Sequence, residues 1–264
     1  MRRSTLPLWL ALFPSLLCPA LFVHAADKKE EKKKPEPPSI ALAIPLASSP
    51  GLTNKIKIRG QNLTNVAEIR FANSNLHAEA VIKSKGKAEV PKEMDAKKVG
   101  DSQVEIELKF PAGTAAGTNV YTLVSTDGES GPGIFVIIPA PELILEKEPN
   151  GSFREAQMIE AGKTVQGAIS EAKDVDVFRF VARAGETITA EVKGSCYGSS
   201  IDSLLTLYDE QGHQIATNDD TKGGSDSQLR TRIAKEGTYL LSLQDAQDKG
   251  GPTYVYLLTL QIER

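Results

Sequence analysis

Two short segments of this chain carry residues of the type and spacing that hold a hard cation. Glu146, Glu148 and Asn150 stand at i, i+2 and i+4. In extended backbone alternate side chains share one side, so three oxygen-bearing groups converge. Asp174 and Asp176 repeat the i, i+2 spacing just ahead of an apolar strand. Ca²⁺ takes about six to eight oxygen ligands. Neither segment offers that many, whereas the two joined approach it. A second acidic stretch runs from Asp202 to Asp220 and ends in Asn218-Asp219-Asp220. Adjacent carboxylates repel, so such a loop stays solvated, meets a cation, or spends its oxygens on backbone N–H groups of turns. For Asp202, Asp219 and Asp220 turn-building is the expectation.

Catalytic chemistry finds less support. The histidines beyond the N-terminal leader are His77 and His213, and neither has metal-ligand spacing. The chain has no G-x-S-x-G, no phosphate-cradling glycine loop and no C-x-x-C. Cys196 is the single cysteine outside the leader, which excludes an internal disulfide and a thiolate metal site; it is expected to be a small buried apolar residue. A flat polymer-binding face would use exposed aromatics. The candidates are Tyr197, Tyr208, Tyr239, Tyr254 and Tyr256. Strand tyrosines ordinarily cover the core, and only Tyr197, in a glycine-rich stretch, stands apart.

The elements that must position these residues read as strands. Lys55–Arg59, Val104–Phe110 and Ser203–Tyr208 alternate with period two, between turns rich in Gly, Pro, Asn and Asp. Arg2 and Arg3, an apolar run and Val23-His24-Ala25 predict a signal peptide over 1–25 and hence export to the periplasm, the cell surface or the outside. Of 31 basic residues, Arg2 and Arg3 leave with it; against 34 acidic residues the net charge becomes −5. That balance gives no footprint for nucleic acid, and no membrane span is expected once the signal is removed. Residues 26–38, charged and proline-rich, read as a disordered tether. About seven strands over 39–138 suit an immunoglobulin-like sandwich, with Lys83–Gly100 as a long loop. Residues 139–145 form a proline hinge. Eight strands over 146–264 suit a second antiparallel sandwich of jelly-roll kind, with one helical turn at Ser152–Ala156 capped by Ser152. The fold class is all-β, two antiparallel β-sandwich domains.

The order IKIRGQNL, EIRF, VEIELKFPAGTAAGTNVYTLV is similar to the IPT/TIG immunoglobulin-like domains, which implies a spacer or recognition module. Residues from about 146 to 262, through EKEPNGSFREAQ, DVDVFRF, LYDEQG, TNDD and GTYLLSLQD, resemble the bacterial pre-peptidase C-terminal domain and the related collagen-binding modules of clostridial collagenases. The resemblance implies Ca²⁺ ligands at Glu146, Glu148, Asn150, Asp174 and Asp176; Gly151 departs from the pattern where a further polar ligand often stands. It also implies an exported, non-catalytic protein that binds an extracellular protein or polysaccharide. The alternatives are an accessory substrate-binding subunit or remnant of a secreted peptidase, and a structural spacer.

Overall fold

The computed structural model describes residues 35–92 and 94–264. The expected signal peptide and most of the expected tether fall outside the described residues. The first sandwich contains β1 (Ser39–Ile44), β2 (Ala47–Ser48), β3 (Thr53–Gln61), β4 (Val66–Phe71), β5 (Glu79–Lys87), α1 (Ala96–Val99), β6 (Ser102–Lys109), β7 (Gly117–Ser125), β8 (Gly128–Glu129) and β9 (Gly133–Ile137). One sheet runs β1-β3-β6-β5 and the other β2-β9-β7-β4, with β8 on β7. The alternation read from sequence decides the core. Ile56, Ile58, Val104, Ile106 and Leu108 turn inward, while Lys55, Lys57, Glu105 and Glu107 stay outside. Phe110, Phe135 and Tyr121 fill the middle, the last two stacked at 4.0 Å. The loop expected over Lys83–Gly100 is shorter than that: β5 continues to Lys87, and Asp95 caps α1 by accepting from Lys97 N at 2.9 Å. The lysine-rich composition hid a strand because both its faces are largely wet.

The second sandwich contains β10 (Leu143–Leu145), β11 (Gln157–Met158), β12 (Thr164–Ala168), β13 (Val175–Ala182), β14 (Thr187–Lys193), β15 (Ser203–Asp209), β16 (Gln214–Asn218), β17 (Gln228–Arg232), β18 (Gly237–Asp245) and β19 (Val255–Glu263). Its sheets run β10-β12-β19-β14-β17 and β11-β13-β18-β15-β16. All pairs are antiparallel except β10 with β12 and β11 with β13. Inner rows from the two sheets meet in one core: Phe178, Phe180 and Ala182 from β13 and Tyr256, Leu258 and Leu260 from β19. Ser152–Ala156 is a turn rather than a helix, and the Ser152 hydroxyl donates to Glu155 Oε2 at 2.8 Å instead of capping.

No strand is shared between the two sandwiches, yet they are packed together. Leu42, Leu46, Ala47 and Val136 from the first share a buried cluster with Val255 and Leu257 from the second. Ala47 N donates to Gln166 Oε1 at 2.7 Å across this contact. Leu143–Leu145, counted with the proline hinge in the sequence, is a strand of the second sandwich. No helix among the described residues is long and apolar enough to cross a membrane.

Candidate metal centre

The centre forms where a row of core residues runs out. In β13 the alternation that buries Phe178 and Phe180 also sends Asp176 inward, and its exposure is 0%. In β19 the row of Leu260 and Leu258 ends in Tyr256, also 0% exposed. These two polar residues therefore face each other between the sheets, at one end of the sandwich. The segment leading out of β10 closes that end. It places Glu146 half-buried, Glu148 exposed and Asn150 fully buried.

Carboxylate oxygens of Glu146, Glu148 and Asp176 lie within 4.8 Å of one another. Tyr256 Oη lies 2.7 Å from Glu146 Oε1 and 2.7 Å from Asp176 Oδ2. A phenol has one proton to donate. Two such contacts require that one carboxyl carry a proton and donate back. Asp176 is the one: burial, then the Glu146 carboxylate beside it, pushes its pKa up to about 9. Glu148 is also raised, chiefly by desolvation. Asn150 Nδ2 donates to Glu146 Oε1 at 3.0 Å, and Asn150 N donates to Glu148 Oε2 at 3.0 Å. Ala168 N donates to Glu146 Oε2 at 2.9 Å.

Two buried acceptors in this group are left without a donor, Asn150 Oδ1 and Asp176 Oδ1. An orphaned buried oxygen costs about 1–3 kcal/mol. A cation among these oxygens would answer such unmet acceptors, and an all-oxygen donor set suits a hard ion such as Ca²⁺. Glu146, Glu148, Asn150 and Asp176 are the residues that would hold it. The charge of the centre can thus be met by a proton on Asp176, and its carboxylates could instead hold a metal ion.

Of the five residues singled out in the sequence, these four come together. Asp174 lies outside the group of three converging carboxylates, although its charge acts on both Glu148 and Asp176. Its Oδ2 accepts from Ser170 N at 2.7 Å and Ser170 Oγ at 2.9 Å, because the turn before β13 brings those donors to it. Two participants were missed. Tyr256 stands 80 residues from Asp176 in the chain; its signal was parity, a phenol at the head of an apolar row. Gly167 pairs with Tyr256 across β12 and β19. A Cβ there would meet Tyr256 Oη at 2.5 Å and Glu146 Oε2 at 2.6 Å, so the centre needs glycine at that point.

Within the Asp202–Asp220 stretch, Asp209 holds its own turn, whereas Asp202, expected to build a turn, bonds a distant side chain. Asp209 accepts from Gln211 N at 3.0 Å and His213 N at 2.8 Å, and its Oδ2 lies 2.9 Å from His213 Nδ1. Asn218 accepts from Gln228 N at 3.0 Å. The Asp202 carboxylate accepts from the Gln247 side chain at 2.9 Å, and its backbone carbonyl accepts from Ala246 N at 2.6 Å. Asp219 and Asp220 are exposed. Tyr239, Tyr254 and Tyr256 are buried, while Tyr197 and Tyr208 are half-buried. Cys196 is exposed rather than a core residue.

An all-β chain of two-sheet sandwiches, with an acidic oxygen cluster at the end of the second, is the class of protein these features define. Residues 174–245 match the family model of the bacterial pre-peptidase C-terminal domain, so the resemblance read from DVDVFRF, LYDEQG and GTYLLSLQD is borne out. A protein of Deinococcus radiodurans described as a probable subtilase-type serine protease is 34% identical over 132 residues. That stretch covers 44% of this chain and 18% of the relative. Among solved structures, the pre-peptidase C-terminal domain of a Bacillus anthracis collagenase is 20% identical with a TM-score of 0.35. The alignment covers 44% of this chain and all of that domain. A periplasmic inhibitor of g-type lysozyme from Aeromonas hydrophila is 19% identical with a TM-score of 0.33, over 41% of this chain and 96% of the inhibitor.

Proposed function

We propose that this is an exported, non-catalytic binding protein whose second sandwich is stabilised by Ca²⁺. The observation that carries the cation is the pair of orphaned oxygens, Asn150 Oδ1 and Asp176 Oδ1, beside three converging carboxylates. Its role is structural. The centre ties the segment after β10 to β12, β13 and β19, so an ion there would lock the end of the sandwich. The match to the pre-peptidase C-terminal domain supports a module that serves by binding, at the cell surface or outside the cell. Both described histidines are exposed, and His213 is occupied in its own turn.

The similarity to a subtilase-type protease supports a second reading, that the chain assists a secreted peptidase as a substrate-binding accessory. Calorimetric titration of the chelator-treated chain with CaCl2 tests the metal, and heat saturating near one ion per chain is expected. Pull-down on collagen, chitin and peptidoglycan tests binding. Hydrolysis of casein by the purified chain would overturn the non-catalytic reading.

A further inference from the structure

Between the two sandwiches lies a cleft of about 700 Å³. Ligand sites favour such junctions and range over about 300–1,000 Å³. One wall is the outer face of the β1-β3-β6-β5 sheet, where Lys55, Lys57 and Lys83 stand among Glu105 and Glu107. The other wall is apolar, made by Ala168, Pro252 and Val255. Glu107 lies directly opposite Lys55 across β3 and β6, and its carboxylate is 3.3 Å from Lys83 Nζ. Lys57 is 3.8 Å from Glu105. Lys55 has no ion pair among the described residues. Three lysines thus face two carboxylates, an excess of positive charge in a chain whose net charge is −3.

We propose that this cleft binds a carboxylated oligosaccharide. The inference rests on the binding-protein reading above and names the ligand class. Charge complementarity supplies the anion: a sugar carboxylate would sit against Lys55 and Lys83, where one glutamate answers two lysines. Alternating ammonium and carboxylate groups on a flat sheet supply donors and acceptors for ring hydroxyls. Ala168, Pro252 and Val255 cover the C–H face of a ring. An extended peptide fits less well. It would add to a sheet edge through its backbone, whereas Lys55, Lys57, Glu105 and Glu107 stand on β3 and β6, interior strands already paired on both sides; poly-glutamate tests the edge strand β5, which carries Lys83. The exposed ion pairs here are weak, worth about 0–1 kcal/mol each, so they open to a ligand at little cost.

The test is calorimetric titration of the purified chain with tetragalacturonate, its methyl ester, poly-glutamate and gelatin, and with the Lys55→Glu/Lys83→Glu double variant. The acid form is expected to bind, and to lose about tenfold or more in affinity both on esterification and in the variant. Both substitutions are at exposed positions, so an unchanged circular dichroism spectrum confirms that the variant is folded. Equal binding of acid and ester, equal binding of poly-glutamate, or an unaffected variant would overturn the assignment. Binding of gelatin without tetragalacturonate would overturn the cleft while leaving the binding reading standing. Binding of none of these probes would count against both.

Discussion

At the scale of single residues, Asp176 sets the behaviour of the centre. Its carboxyl is held protonated in the folded chain, with a pKa of about 9 against an ordinary 3.8. Without a cation, the folded state keeps a proton that the unfolded state gives up. Stability contributed by that proton is complete below about pH 4 and is lost as pH rises toward 9. Ca²⁺ must displace the same proton, so its affinity should increase across that window, by at most about tenfold per pH unit. Tyr256→Phe leaves Glu146 and Asp176 facing each other without the shared donor. Urea denaturation should show a loss of about 1–3 kcal/mol. The spacing of Glu146, Glu148, Asn150 and Asp176 made these residues legible in the sequence. For Asp174 the spacing shows parity but not the two Ser170 donors that its Oδ2 accepts from.

At the scale of elements, the fold depends on a few side chains that hold backbone turns. Asp226 is the clearest: its carboxylate accepts from Gly194 N, Ser195 N and Cys196 N at 2.9, 2.7 and 3.0 Å. Asp226→Ala strips three partly or fully buried N–H groups of their acceptor. The expected loss is about 2–4 kcal/mol, read from the urea midpoint. Desolvation and then Asp226 push the Cys196 thiol up to about 12. Iodoacetamide at pH 7.5 should therefore alkylate Cys196 much more slowly than a free peptide cysteine, despite its exposure. Gly167→Ala should disturb the centre without touching a ligand, detectable as weakened Ca²⁺ binding at unchanged strand content. Most long strands were legible because one wet and one dry face give period two; β5, wet on both faces, reads as loop beyond Lys83. The short strands β10 and β11 were not, since two or three residues carry no period and their pairing is set by β12 and β13.

At the scale of the whole molecule, the centre and the junction use the same strands. Gly167 and Tyr256 belong to the centre. Gln166, Val255 and Leu257, their immediate neighbours in β12 and β19, hold the first sandwich. Leu257 is 4% exposed within that shared cluster. Leu257→Ala should cost about 2–5 kcal/mol and split a single calorimetric transition into two. The sequence showed two sandwiches but not their contact. Leu42, Val136 and Val255 read as ordinary strand residues, and their partners lie more than a hundred positions apart. The prolines at 139 and 141 suggested a joint, whereas the apolar patches on both sides close it.

The central property of this protein is whether a cation or a proton satisfies the buried oxygens. Thermal unfolding at pH 8, with millimolar CaCl2 or with chelator, measures this for the native chain and for Asp176→Asn. The native chain should unfold at a higher temperature with Ca²⁺, by about 2.7 kcal/mol of stability at a hundred times the dissociation constant. Asp176→Asn, which mimics the protonated carboxyl, should be at least as stable as the native chain in chelator and nearly indifferent to Ca²⁺. A native midpoint that does not move with Ca²⁺ would contradict the account, as would an Asn variant that responds to Ca²⁺ as fully as the native chain does.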